Sequence, residues 1–143
     1  MSQDLHAFAS RWFDDVWNHR IESTIDELMA PDCTGQMEGA PVRTAEEFKA
    51  QRKFLLGLFP DIQVRPEETV VEGNNVVTRW HATGTHSGSA PGLPATDAKV
   101  DFRGITWMKV EGGRMVQGWD SWNQGAVFEA LRAKPGTSQS TDA

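Results

Sequence analysis

The 143-residue chain contains no tyrosine and a single cysteine, Cys33. One cysteine builds neither a disulfide framework nor a cysteine-based metal cluster, and we expect no bound metal. Without tyrosine, chemistry that depends on a phenolic hydroxyl, as donor to an oxyanion or to a reacting water, has to use other groups. Six tryptophans and seven phenylalanines supply the aromatic surface instead.

Basic residues are also scarce, since 14 Lys and Arg face 20 Asp and Glu for a net charge of −6. That balance argues against nucleic acid and anionic membranes as partners. No apolar run reaches the length of a membrane span, and the N-terminal sequence MSQDLHAFAS lacks the basic-then-apolar layout of a signal peptide. We therefore expect a soluble protein in the cytoplasm.

The length suits a single domain with a core of its own, which we place at residues 1–132. Residues 133–143 end in the polar sequence PGTSQSTDA, which has no apolar face. We expect this tail to be disordered.

The N-terminal half carries apolar residues at helical spacing. One amphipathic helix is predicted from Leu5 to Trp17, and a second, shorter helix ends before Pro31. A third helix begins at Thr44 to Glu47, which has capping-box spacing, and ends at Pro60. Between the second and third helices, Cys33 to Glu38 is a short strand candidate.

The C-terminal half alternates with the period of two that is typical of strands. Glycine-containing turns separate the segments, and a loop rich in Gly, Pro and Ala interrupts them at residues 86–99. The strands are predicted at Ile62–Val71, Asn75–Thr83, Val100–Val110 and within residues 113–124. Helices followed by an antiparallel sheet indicate an α+β fold. We expect the helices to cover one face of a curved sheet and to enclose a single pocket, the usual place for a ligand.

The sequence GRMVQGWDSWNQ, residues 113–124, places Asp120 directly after Trp119 and two residues before Trp122. A carboxylate with such neighbours either points outward into water or lies in an apolar pocket. In a pocket, the loss of water raises its pKa and makes the group a usable proton acceptor and donor. Asp120 is therefore the candidate general acid and base.

The pairing of the final hairpin decides which residues Asp120 contacts. If Glu111-Gly112-Gly113 forms a three-residue loop, Asp120 lies opposite Gly104. A two-residue Gly-Gly turn would instead pair Asp120 with Ile105, and we favour the first register. The pocket walls on the face of Asp120 are then predicted to be Phe102, Thr106, Met108 and Trp122.

The opposite face of the hairpin carries Trp107 and Trp119. We place Trp80 of the preceding strand there too, because its parity is opposite to that of Arg79 and His81. Three tryptophans on an outer sheet face are too much apolar surface to leave in water. We predict that they form a homodimer interface; the alternative is that the C-terminal segment covers some of them.

Several short sequences resemble the SnoaL-like polyketide cyclases, which belong to the NTF2-like superfamily of cone-shaped α+β proteins. They are Phe59-Pro60-Asp61, EGNNVVTR at 72–79, GTHSG at 84–88, Gly113-Arg114-Met115 and Trp119-Asp120. The resemblance extends from about the first helix to Leu131. It implies an NTF2-like cone in which N-terminal helices pack on a strongly curved antiparallel or mixed sheet that encloses one pocket.

In the cyclases that define this family, an aspartate on the last strand acts as acid and base in an intramolecular aldol ring closure. The match with Gly113-Arg114-Met115 places that aspartate on Asp120. The family's pocket histidine falls on Thr106, so the partner of the acid differs in this chain. By the resemblance, Arg79 and His81 look into the same cavity. Arg79 then either stabilises an enolate or holds Asp120 ionised, and His81 either shares the proton transfer or is a hydrogen-bonded structural group.

The related limonene-epoxide hydrolases carry an Arg-x-Asp that matches Arg79-Trp80-His81, and a second Asp that matches Asp120. Their catalytic water also needs a Tyr and an Asn on the first strand, where this chain has Gly35 and Met37. The oxyanion hole of ketosteroid isomerases likewise relies on a tyrosine hydroxyl. The absence of tyrosine weakens both alternatives.

We therefore expect a cofactor-free enzyme that performs aldol cyclisation or proton-transfer isomerisation on a small apolar carbonyl compound. Its catalytic residues would be Asp120, His81 and Arg79. An epoxide hydrolase-like enzyme and a non-catalytic protein that binds a small apolar molecule are the alternatives. His86 is interpreted as a structural residue that orients the long loop, with a place in the pocket wall as the other reading.

Overall fold

A computed structural model describes residues 4–38 and 40–134 of the chain. The predicted disordered tail lies outside these residues, apart from Ala133 and Lys134 after the last helix. Among the described residues, no helix has the length and apolar character needed to cross a membrane. The cytoplasmic location stays a prediction.

The described chain forms four α-helices and one six-stranded mixed sheet that is curved and does not close, which confirms the predicted α+β class. The helices are α1 (Leu5–Arg11), α2 (Ser23–Leu28), α3 (Ala45–Leu58) and α4 (Gln124–Arg132). The strands are β1 (Met29–Met37), β2 (Ala40–Val42), β3 (Gln63–Glu72), β4 (Asn75–Thr85), β5 (Lys99–Glu111) and β6 (Arg114–Trp122). Their order is β2-β1-β6-β5-β4-β3, in which only β1 and β6 run parallel.

Helix α1 continues directly into a π-helix, Trp12–Asn18, whose wider turn buries four large side chains against the sheet. They are Trp12, Phe13, Val16 and Trp17. A wider turn disturbs the usual backbone ladder, and here the Nε of the buried Arg52 donates to the carbonyl of Val16 at 2.9 Å. π-Helical turns are often found beside functional sites, and this one supplies part of a cavity wall.

Helix α3 begins as its sequence predicts. The hydroxyl of Thr44 accepts a hydrogen bond from the N–H of Glu47 at 3.1 Å, and the carboxylate of Glu47 accepts from the N–H of Arg43 at 2.8 Å. These bonds satisfy backbone donors that the first turn of a helix leaves free. The fixed start of α3 sets the position of the helix over the inner face of the sheet.

The final hairpin closes with a two-residue Gly112-Gly113 turn, across which Glu111 pairs with Arg114. Both glycines have positive φ, +60° and +81°, the backbone that a tight hairpin turn of this kind requires. The predicted three-residue loop is therefore wrong. Shortly after the turn, one residue of β6, Val116, has no partner in β5 and forms a bulge.

Because of the bulge, Asp120 lies opposite Thr106 and not opposite Gly104 as predicted. The predicted register is wrong by two residues, and an even error leaves a side chain on the same face of the sheet. Asp120 therefore does point to the inner face, towards the helices. The ring of Trp80 occupies the space beside Gly104, since a Cβ at this glycine would overlap that ring.

Candidate active site

The inner face of the sheet and the helices enclose a narrow cavity with about 460 Å³ of space outside the protein atoms, open solvent included. Its walls are mainly apolar, and the only charged side chain among the lining residues is Asp120. Six of the lining residues are aromatic: Phe13, Trp17, Phe59, Trp80, Phe102 and Trp122. A cavity of this composition, with a single carboxylate in it, is a candidate site for a small ligand.

Asp120 belongs to a short chain of hydrogen bonds that crosses three strands. The hydroxyl of Thr106 on β5 donates to Oδ1 of Asp120 on β6 at 2.5 Å. The same hydroxyl accepts from the indole Nε1 of Trp80 on β4 at 2.9 Å. An indole N–H only donates, so the single hydroxyl hydrogen of Thr106 is left for Asp120.

This arrangement distinguishes the two oxygens of the Asp120 carboxylate. Oδ1 is engaged as an acceptor by Thr106, whereas Oδ2 accepts no hydrogen bond from any of the described residues. A proton that Asp120 takes up or releases is therefore carried on Oδ2. A ligand in the cavity would find one oxygen held in place and the other free.

Burial raises the pKa of Asp120 from 3.8 to about 6. The hydrogen bond from Thr106 favours the ionised form and opposes this rise, while the negative charge of Glu38 adds to it. Glu38 follows β1, and its Oε2 accepts from the N–H of Trp122 at 3.3 Å. At neutral pH, Asp120 is therefore mostly ionised, yet close enough to its pKa to accept and return a proton.

A second cavity, with about 350 Å³ of space on the same open-solvent basis, lies on the other side of Asp120 and is also lined by Thr106. Cys33 contributes to its wall. Burial raises the pKa of this thiol to about 11, so it stays neutral. No group of three His, Cys, Asp or Glu side chains within residues 4–38 and 40–134 is placed to hold a metal ion.

Of the four wall residues that were predicted on β5 and β6, three line the cavity and one does not. Phe102, Thr106 and Trp122 line the cavity, and the rings of Phe102 and Trp122 stack with centroids 4.6 Å apart. Met108 is fully buried in the sheet opposite Gly118 and is not among the residues that line the cavity. The aromatic stack gives the cavity a flat wall close to the acid.

His86 is also outside the cavity wall. It is fully buried where the loop of residues 86–98 begins, and its Nδ1 lies 3.0 Å from the hydroxyl of Thr96. The backbone of His86 bonds to Thr96, Asp97 and Ala98 across the same loop. These contacts are those of a residue that shapes the loop, and burial lowers the pKa of its imidazole.

The prediction that Arg79 and His81 look into the cavity is wrong. Both share one face of β4, as predicted, but it is the outer face of the sheet. Arg79 is exposed there and lies 3.5 Å from the carboxylate of Glu68, while His81 Nε2 lies 2.7 Å from Asp101. The residues that match the epoxide hydrolase set therefore point away from Asp120.

The placement of Trp80 on the outer face is wrong for the same reason. Trp80 is 6% exposed, lines the cavity and supports Thr106. Trp107 and Trp119 do lie on the outer face, 47% and 39% exposed, with ring centroids 6.2 Å apart. The outer apolar surface is therefore smaller than predicted.

Sequence reasoning missed most of the cavity wall and the nearby carboxylate of Glu38. Phe13 and Trp17 belong to the apolar stripe of the first predicted helix. The stripe indicates that these side chains are buried, but it does not indicate that they line this cavity. Trp80 was misassigned by face. Glu38 gave no signal, because its contact with β6 joins residues 84 positions apart in the chain.

Comparisons with known proteins show the family and the fold of this chain. The family model of the SnoaL-like polyketide cyclases matches residues 7–131. The chain therefore belongs to the SnoaL-like polyketide cyclase family. A search of curated proteins finds no match.

Solved structures show the same fold. A protein from Jannaschia sp. CCS1, assigned to the SnoaL-like polyketide cyclases, is 27% identical and superposes with a TM-score of 0.81 over 89% of this chain and 90% of its own. IdmH from Streptomyces antibioticus, assigned as a polyketide cyclase, is 25% identical with a TM-score of 0.78 over 90% and 98%. A hypothetical protein with a ketosteroid isomerase-like fold from Catenulispora acidiphila, in complex with trimethylamine, is 15% identical with a TM-score of 0.72 over 89% and 92%, a likeness of fold alone. The predicted NTF2-like fold is confirmed.

Proposed function

We propose that the protein is a cofactor-free enzyme that uses Asp120 as general base and general acid on a small carbonyl compound. The reaction would be an aldol cyclisation or a related proton-transfer isomerisation, in line with the family's cyclase-type role. The observation that carries this proposal is the free Oδ2 of Asp120 in a mainly apolar cavity, with a pKa of about 6.

The proton transfers balance without another reactant. Ionised Oδ2 of Asp120 takes a proton from the carbon next to a carbonyl group, which leaves an enolate and a neutral carboxylic acid. The enolate carbon then forms a bond to a second carbonyl carbon of the same molecule, and the acid returns its proton to the new alkoxide. In an isomerisation, the acid returns the proton to a different carbon of the enolate. General acid–base assistance of this kind is worth roughly a hundred- to ten-thousand-fold in rate.

The enolate oxygen needs a donor that is not a tyrosine. Trp17 and Trp122 line the cavity, and their indole N–H groups bond to no acceptor among the described residues. They are the donors that we assign to the substrate oxygen. Thr106 holds Asp120 in position while its own hydroxyl is held by Trp80.

Exchange of carbon-bound hydrogen tests this role without knowledge of the natural substrate. Small ketones and 1,3-dicarbonyl compounds are incubated with the protein in heavy water, and deuterium uptake at the α-carbon is followed by NMR. We expect exchange above the buffer rate that is lost in Asp120→Asn and kept in Asp101→Asn, whose carboxylate is on the outer face. Equal exchange by the Asp120→Asn variant would discard the proposal.

A binding protein without catalysis is the second candidate, because aromatic and aliphatic walls alone would hold an apolar molecule. It predicts a ligand that is bound and recovered unchanged, and a binding constant that is indifferent to Asp120→Asn. The exchange experiment separates it from the enzyme.

We also propose that a second copy of the chain covers the outer face of the sheet. Ile105, Trp107 and Trp119 form an exposed apolar centre there. Arg103 and Asp101 lie on the same face, so its rim carries both signs of charge, as a surface that meets its own copy needs. A Trp119→Glu variant should be monomeric in sedimentation at concentrations where the native chain is dimeric. A native chain that sediments as a monomer throughout would refute the dimer.

A further inference from the structure

The cavity around Asp120 contains no basic side chain. Lysine, arginine and histidine are absent from the residues that line either of the two cavities that Asp120 reaches. The one charged side chain that acts on the pKa of Asp120 is another carboxylate, Glu38, which raises it. An ionised carboxylate in apolar surroundings with no positive partner is unfavourable by itself.

The basic residues nearby are engaged elsewhere. Arg52, the buried one on α3, donates to the carbonyl of Val16 and lies 3.6 Å from Glu22. Arg79 and Arg103 lie on the outer face beside Glu67, at 3.7 and 3.8 Å. The protein therefore supplies no counter-ion to Asp120 from the described residues.

The walls favour a positive charge as well. Aromatic rings present a negative face, and a cation over such a face is attracted to it, more strongly when water is excluded. Six aromatic side chains surround the only charged one, and the flat stack of Phe102 and Trp122 lies beside it. A carboxylate and aromatic faces together are complementary to an organic ammonium group. No side chain in the wall carries a positive charge that would repel it.

We infer that the substrate of this site is a small carbonyl compound that carries a protonated or quaternary amine, held between Asp120 and the aromatic wall. This inference rests on the proposed function for the carbonyl group and on the cavity alone for the ammonium group. The positive charge of the ligand takes the place of the missing counter-ion.

The same charge would serve the proton transfer. When Asp120 takes a proton from the carbon beside the carbonyl, a negative enolate forms in a cavity without Lys or Arg. An ammonium group on the same molecule neutralises that enolate internally. Before the step the cavity holds Asp120⁻ and a cation, and after it a neutral acid and a zwitterion, so its net charge stays at zero. Asp120, although a weak base, then acts on a more acidic carbon.

A pair of probes of equal shape tests the inference directly. Choline carries a trimethylammonium group, and 3,3-dimethylbutan-1-ol carries a neutral tert-butyl group of the same shape. Binding is followed by tryptophan fluorescence, because Trp17, Trp80 and Trp122 line the cavity. At pH 8 we expect choline to bind about tenfold or more tightly than the neutral alcohol, which is about 1.4 kcal/mol.

The dependence on Asp120 completes the test. The preference for choline should fall severalfold in Asp120→Asn, to the part that the aromatic walls supply, and it should fall in the same way below pH 6, where Asp120 takes up a proton. Cys33, the other ionisable side chain in the two walls, stays neutral throughout, and Glu38→Gln shows how much the second carboxylate adds. Asp101→Asn, on the outer face, should keep the preference, which separates the cavity from the overall charge of the chain.

Equal binding of the two probes, a preference that is undiminished in Asp120→Asn, or no binding of choline at about 50 mM would each overturn the inference. None of these results touches the deuterium-exchange experiment, which uses neutral ketones and reports on proton transfer alone. The two proposals therefore fail separately.

Discussion

Replacing Asp120 by asparagine should remove the proposed activity, and it should also remove a loss of stability that the native protein shows as the pH rises from 4 to 8. The folded protein holds the proton of Asp120 up to a pH of about 6, whereas the unfolded chain releases it near 3.8. Because the folded-state pKa is raised, the native protein loses stability as the pH rises through this window. A tenfold change in acidity is worth about 1.4 kcal/mol, so the full loss is about 3 kcal/mol.

The measurement is the free energy of urea unfolding of both proteins at pH 4 and at pH 8. The buried amide of Asp120→Asn has a cost of its own, but that cost is the same at both pH values and cancels in the comparison. Since pH 4 already lies just above 3.8, a small part of the loss precedes the measurement. Relative to the native chain, the variant should therefore gain about 2.5 kcal/mol between pH 4 and pH 8, on the order of 5–10 °C in Tm.

The exposed Asp14 offers a control, since Asp14→Asn changes the same chemical group at a site surrounded by water and should show no such gain. If Asp120→Asn and the native chain change in parallel between pH 4 and pH 8, the carboxylate is not held in an apolar cavity. The reasoning about its chemistry would then be refuted.

Three further substitutions test the partners of Asp120. Thr106→Val should raise the pKa of Asp120 above about 6 and cost roughly 1–3 kcal/mol, because the indole of Trp80 loses its acceptor; NMR titration and urea unfolding measure the two effects. Glu38→Gln removes a negative charge, so the pKa of Asp120 should fall and deuterium exchange should persist to lower pH; a move to higher pH would contradict this. Gly104→Ala inserts a Cβ into the ring of Trp80, and we expect altered near-ultraviolet circular dichroism with a loss on the order of 1–3 kcal/mol.

Two positions with the same residue types as Thr106 and Gly104 serve as controls. Thr78→Val changes an equally buried threonine that bonds to Thr69, and should leave the titration of Asp120 unchanged. Gly57→Ala, on α3, meets no atom within 4 Å and should be neutral or stabilising. If both glycine variants lose the same stability, the packing of the Trp80 ring does not depend on the absence of a side chain at Gly104.

Most of the architecture could be predicted because it depends on short-range patterns. The helix from Leu5, the cap at Thr44 and the turn at Gly73-Asn74 all follow from spacing within a few residues, and all are present. The inward direction of Asp120 could be predicted because side chains alternate between the two faces of a strand. A register that is wrong by two residues therefore still assigns the correct face.

The face of β4 could also have been predicted from hydrophobicity. Val76, Thr78, Trp80 and Ala82 make one face of this strand more apolar than the other, and all four are buried. The resemblance to an Arg-x-Asp motif instead placed Arg79 and His81 inside. On physical grounds, the inner face was the less favourable place for these two charged or titratable side chains, because they had no buried partners.

Other parts of the site had no local signal. The proximity of Glu38 to Asp120 depends on how β1 lies against β6, and the bond from Trp80 to Thr106 depends on the register of β4 with β5. The π-helical turn is bonded through the carbonyl of Val16 to Arg52, which is distant in sequence. Such features appear only when the whole chain is assembled.

Val116 bulges out of the ladder between β5 and β6, and this bulge sets the direction of Asp120. If Val116 paired with β5, continuous pairing from the Glu111–Arg114 end of the hairpin would set Asp120 against Ile105 and turn its carboxylate to the solvent side. A chain that lacked Val116 altogether would pair without a bulge and would still set Asp120 against Thr106, with the acid in its interior. A designer who wants an inert carrier on this scaffold would therefore have to bring Val116 into the ladder, because deleting it would leave the acid where it is.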